Sequence, residues 1–162
     1  GVPVEVVFGD DQFKPDVGVQ VAEEMLKKHQ VDIVSGIIWS HVMMAVVPVV
    51  TGAGKVMVGT NAGASPLAGK ACHPQYFSTS WNNDSLNESM GQHANAAGYK
   101  KVYLLAPNYQ AGKDMIGGFK SQYKGKVADE LFTQLGAVDF SAEIAKIQAT
   151  RGLDGKFSHC PQ

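Results

Sequence analysis

Two hydrophobic periods alternate along this chain. Residues 2–8, VPVEVVF, are short and β-branched and predict a strand. GDDQFKPD reads as a turn, and Pro15 suits the first turn of a helix, where its missing N–H costs nothing. Val17, Val21, Met25 and His29 then recur every four residues, with Glu23, Glu24, Lys27 and Lys28 elsewhere. That spacing predicts an amphipathic helix of about four turns, its cationic end matched to the helix dipole. VDIVSGII is a second strand, apolar enough to be buried on both faces, as in a parallel sheet. SHVMMAVVPVVTGAG reads as a helix capped by Ser40 and stopped by glycines, with a turn weakened at Pro48. KVMVGT is a third strand, NAGASPLAGKACHPQ a long polar loop and YFSTSW a short extended piece.

The second half repeats the alternation. Ser85 and Glu88 have the spacing of a capping box, S-x-x-E. They predict a helix through Leu86, Met90, His93, Ala94 and Ala97, stopped by Gly98. KKVYLLAP is a fourth strand. NYQAGKD leads into a helix with Met115, Ile116, Phe119 and Tyr123 on one face. KVADELF is a fifth strand, and SAEIAKIQAT a last helix capped by Ser141 with Ile144 and Ile147 inward. Strands alternating with helices imply parallel sheets with right-handed crossovers. The break between Asn61 and Trp81 divides two lobes, 1–80 and 81–150, followed by an atypical tail, 151–162.

Composition narrows the function classes. With 162 residues, 44% hydrophobic and 18% charged, the chain can fill a core. A net charge of -1 with scattered lysines argues against nucleic acid as a partner. No apolar run reaches the ~18 residues that span a bilayer. Cys72 and Cys160 lack metal spacing, and their pairing stays open. His29, His73 and His93 read as surface or helix-face residues, and no Cys/His metal cluster or cofactor motif is present.

Individual motifs fail their chemical requirements. TGAGKV lacks the first glycine of a phosphate loop and the hydroxyl after its lysine. No G-x-G-x-x-G follows a strand. Ser40-His41 is not a nucleophile elbow, because its flanks are Ile38 and Val42 where small residues are needed. Adjacent residues at a helix start also diverge, so His41 is poorly placed as a base for Ser40. Asp10 and Asp11 read as a turn hydrogen-bonding backbone amides. What remains is a set of strand carboxyl ends, where ligands of open parallel sheets bind. One carries Trp39, Ser40 and His41, the next Thr60, Asn61, Ala62 and Gly63, and a third, in the second lobe, Asn108 and Tyr109. A hydroxyl and amides at a helix N-terminus suit a carboxylate, and Trp39 and Tyr109 offer apolar faces with polar tips.

The motifs DDQFKPDVGVQVAEEMLKKHQVDIVSG, AVVPVVTGAGKVMVGTNAG, YFSTSWNND and KKVYLLAPNYQAGKDMIGGFK, in that order over roughly residues 5–150, resemble the type 1 periplasmic solute-binding proteins of branched-chain amino acid transporters. The resemblance implies two Rossmann-like α/β lobes, both partial here. It implies a non-catalytic, extracytoplasmic component of an ABC transporter that binds a small carboxylate and meets a membrane permease. It further implies that Ser40 and His41 face the ligand carboxylate, that residues 60–63 add polar contacts and that Tyr109 closes from the other lobe. IIWSHVMMAV is similar to the branch that takes aromatic acids. The family's first strand and helix are expected before Gly1, and the tail departs from the family pattern, so a truncated form is expected. Uncovered sheet edges then predict a homodimer or an exchange of elements. A ligand-sensing receptor domain of the same fold is the alternative, and a Rossmann-like hydrolase a further one.

Overall fold

The computed structural model describes residues 1–150 and 152. It divides into two compact units, the first ending at Asn82 and the second opening at Asn83.

In the first unit, α1 (Pro15–Lys27) and α2 (Ser40–Gly52) flank a parallel sheet of β1 (Ile33–Gly36), β2 (Val56–Gly59) and β3 (Tyr76–Ser78), in the order β1-β2-β3. A 3-10 turn, Ser65–Ala68, interrupts the loop after β2. The core is centred on α2, where Val42, Met43, Val46 and Val50 are fully buried together with Met57 of β2. Valine has a modest helix penalty of up to about 0.7 kcal/mol against alanine. Burial contributes about 1.5–3 kcal/mol for each such side chain, so packing decides. The same surplus carries Pro48, which sits inside a helix that runs on to Gly52.

The expected strand at residues 2–8 belongs to no ladder, and Val2, Val4, Val6 and Phe8 are exposed. A strand needs a neighbour for its N–H and C=O groups, and among the described residues the sheet ends at β1. Nor is β1 buried on both faces: Val34 is buried while Ile33 is 60% exposed. The face of α1 is also rotated from the expected ridge. Gly18 and Ala22 form the buried seam, and a Cβ on Gly18 would lie 2.6 Å from Val42 Cγ1. Small residues permit that close approach, whereas Val21 and Met25 pack over Gly9.

The second unit pairs β4 (Lys101–Pro107) with β5 (Lys126–Thr133) in parallel, with α3 (Asn83–Ala96), α4 (Gln110–Gln122) and α5 (Ser141–Ala149). α3 and α4 cross at glycines. A Cβ on Gly91 would lie 2.5 Å from the Phe119 carbonyl oxygen, and one on Gly118 2.8 Å from backbone carbons of Asp84. Leu86 and Met90 of α3 point away from this crossing and are exposed.

The three expected serine caps are displaced. Trp39 is the cap position of α2, and no side chain caps it; buried Ser40 is the first helical residue. Helix α3 opens at Asn83, two positions before Ser85, so no capping box forms. Buried Asn83 donates to Asp114 of α4 at 3.1 Å, which anchors the earlier start. Ser141 lies inside α5, and both its N–H and its hydroxyl donate to Asp139, at 3.0 and 2.6 Å. Ile147 is buried, but Ile144 is exposed. The tail and Cys160 fall outside the described residues apart from Gly152, and Cys72 is exposed.

Candidate functional site

Parallel register brings three strand ends into one row. Gly36 pairs with Gly59, and Gly59 with Ser78. The loops that follow leave the same carboxyl edge of the sheet. The loop after β1 is strained: Gly36 has φ 116° and Ile37 φ 63°. A β-branched residue in the left-handed region costs of order 1–3 kcal/mol and persists where its surroundings fix it. Here the Ile37 carbonyl accepts from Ala62 N–H at 3.3 Å, which ties the first loop to the second. The Gly59 carbonyl likewise accepts from Thr79 N–H at 2.9 Å, which ties in the third.

Helix α2 starts from this edge. Its first intrahelical bond runs from Met43 N–H to the Trp39 carbonyl at 2.9 Å, so the amides of the first turn face the row of strand ends. Trp39 stacks on Phe13, with ring centroids 4.4 Å apart, and meets His41 edge-on at 6.2 Å. His41 Nε2 donates to the Phe13 carbonyl at 3.0 Å, which places its proton on Nε2. Phe13 is held by a turn in which Asp10 and Asp11 accept from the amides of Gln12 and Phe13, each at 2.9 Å, as their spacing predicts. In the second loop Thr60 and Asn61 are exposed, while Ala62 and Gly63 are buried. The Ala62 amide, engaged by Ile37, is not open to a ligand.

Beside this loop lies a half-open cavity of about 180 Å³, lined by Gly63, Ala64, Leu67, Tyr76, Ser78 and Asn82. Exposed Ala68 forms its rim. Burial raises the Tyr76 phenol above its ordinary value, partly offset by a hydrogen bond with Ser78. A Cβ on Gly59 would lie 2.7 Å from the Tyr76 hydroxyl and 3.2 Å from Met43 Cε, so Gly59 makes room for both. Sequence reasoning missed Phe13, Ile37, Leu67, Tyr76, Ser78 and Asn82. The one usable signal was the serine closing β3, and it becomes meaningful only once the register is known.

In the second unit, Asn108 and Tyr109 follow β4. Asn108 is exposed, and its backbone N–H donates to the Thr133 carbonyl at 2.7 Å. Tyr109 is the cap residue of α4, and burial raises its phenol. The first unit thus gathers Trp39, Ser40, His41 and residues 60–63 on one sheet edge, while Asn108 and Tyr109 adjoin each other at the strand end of the second. Among the described residues no cluster of metal-binding side chains occurs, and no helix is long and apolar enough to cross a membrane.

These parallel α/β units, with loops gathered at strand carboxyl ends, have the architecture of solute-binding proteins. The chain belongs to the periplasmic binding protein family, whose model matches residues 1–152. A Leu/Ile/Val-binding protein homolog of Brucella abortus is 28% identical over 98% of this chain and 41% of its own length. A solute-binding protein of an ABC transporter from R. palustris, solved with benzoate, is 28% identical with a TM-score of 0.81, over 86% of this chain and 39% of that one. Another from R. palustris, solved with 4-hydroxybenzoate, is 25% identical with a TM-score of 0.81, over 90% and 40%. A periplasmic binding protein of Burkholderia mallei is 27% identical with a TM-score of 0.83, over 93% and 41%. The chain therefore spans about two fifths of the length of these relatives.

Proposed function

We propose that this chain forms part of the extracytoplasmic binding protein of an ABC transporter, and that it holds a small carboxylate for a membrane permease without chemical turnover. The observation that carries this reading is the row Gly36, Gly59 and Ser78, which collects three loops and the N-terminus of α2 on one edge. Ser40 and the first-turn amides of α2 take the carboxylate, with Thr60, Asn61, Ala62 and Gly63 beside it and Trp39 and His41 as a wall. Ala62 contributes shape, since its amide is engaged. Asn108 and Tyr109 are the ligand contacts of the second unit. The relatives' ligands, benzoate and 4-hydroxybenzoate, support an aromatic acid, and the Leu/Ile/Val-binding homolog a branched-chain amino acid.

Calorimetry and thermal melting with aromatic acids and branched-chain amino acids test this reading. A ligand at about 100 times its Kd should stabilise the fold by about 2.7 kcal/mol. Ser40→Ala should weaken binding. A panel without any shift, or ester hydrolysis lost in Ser40→Ala, refutes the proposal. The open edge of β1 and the exposed Val2, Val4, Val6 and Phe8 also support self-association, as a homodimer or by exchange of elements. A monomer by light scattering at micromolar concentration counts against that.

A further inference from the structure

We propose that the cavity between the second loop and β3 is a ring subsite, and that Tyr76, Ser78 and Asn82 select a ring bearing a hydrogen-bonding substituent. The inference rests on the reading of this chain as a carboxylate-binding protein and narrows its solute to a substituted monocyclic aromatic acid.

Size is the first argument. A cavity of about 150 Å³ lined by apolar side chains accepts benzene, and this one measures about 180 Å³. It has room for one ring and a small substituent. The second argument is chemical. Leu67 and Ala64 are buried and give an apolar wall, while the polar residues Tyr76, Ser78 and Asn82 line the same space. Tyr76 and Ser78 already hydrogen-bond each other, and a branched aliphatic side chain fills the volume without adding to that pair. A ring hydroxyl joins the pair as a further donor or acceptor, which an unsubstituted ring position does not. Position is the third argument. Gly63 belongs both to the cavity lining and to the loop assigned to the carboxylate, and Ser78 is the register partner of Gly59. A ligand anchored by its carboxylate at the sheet edge therefore reaches the cavity with its ring.

The test is calorimetric titration of the full chain with 4-hydroxybenzoate, benzoate and isoleucine, in the parent and in Tyr76→Phe, Ser78→Ala and Ala68→Trp. In the parent, 4-hydroxybenzoate should bind about tenfold or more tightly than benzoate. Tyr76→Phe and Ser78→Ala should each shrink that ratio. Ala68→Trp fills the rim from an exposed position and should weaken both ring acids by about tenfold while any isoleucine binding persists. Ser78 and Ala68 are exposed, so those two variants keep the test valid if Tyr76→Phe lowers stability. Isoleucine binding more tightly than either ring acid, or ring acids indifferent to Ala68→Trp, overturns the subsite and leaves the carboxylate reading standing. If none of the three compounds binds, both fail.

Discussion

Helix α4 carries two adjacent glycines, and the same substitution should act on them in opposite directions. Gly117 is exposed, and a Cβ there would meet nothing within 4 Å. Gly118 is buried, and a Cβ there would press on the carbonyl oxygen of Asp84 and lie 2.8 Å from its backbone carbons. Alanine improves helix propensity by about 1 kcal/mol at either position. At Gly117 that gain stands alone. At Gly118 it meets backbone atoms of α3 that cannot swing aside, and overpacking costs about 1–3 kcal/mol. The propensity gain is common to both variants and cancels in their difference, so Gly118→Ala should be less stable than Gly117→Ala by about 1–3 kcal/mol. Denaturant unfolding followed by circular dichroism measures both against the parent. Equal midpoints for the two variants would refute the close crossing of α3 and α4 at this glycine.

Gln30 follows α1 with φ 53° on an exposed backbone, so Gln30→Gly should stabilise the fold by about 0.5–1 kcal/mol in the same assay. Asp139 is held below the usual carboxylate range, first by the Ser141 hydroxyl and then by its N–H. Its contribution is present above the unfolded value of about 3.9 and is lost as pH falls through the folded one. Carboxyl NMR should give a midpoint below that reference in the parent and a higher one in Ser141→Ala. Burial raises the phenols of Tyr76 and Tyr109. Their contribution is complete below the unfolded value of about 10 and declines as pH rises through the folded one. Phenolate absorbance should lag behind that of the unfolded chain, and superimposable titrations would refute the effect.

The helices and most strands were legible because each carries a period, and parallel pairing followed from their alternation. Caps were not. A serine near a helix start has several nearby partners, and Ser141 chose Asp139. Residues 2–8 have the composition of a strand, but pairing is a property of a neighbour, which no local pattern reports. Exposure at Ile33 and Ile144 depends in the same way on what covers them. In the candidate site, the strand ends were readable from residue type. The cavity was not, because Tyr76 and Ser78 join residues 60–63 only through the register of β3 on β2. Ile37 was invisible for the opposite reason, since a β-branched residue is a poor guess for the left-handed region.

The stacking of Trp39 on Phe13 gives the protein an optical handle. The chain has two tryptophans, and Trp81 is 56% exposed. Emission from Trp81 is therefore dominated by solvent, whereas Trp39 senses the edge where α2 begins. In a Trp81→Phe background, fluorescence becomes a label-free reporter on the wall beside Ser40. Changes at that edge on adding an aromatic acid can then be timed by stopped flow.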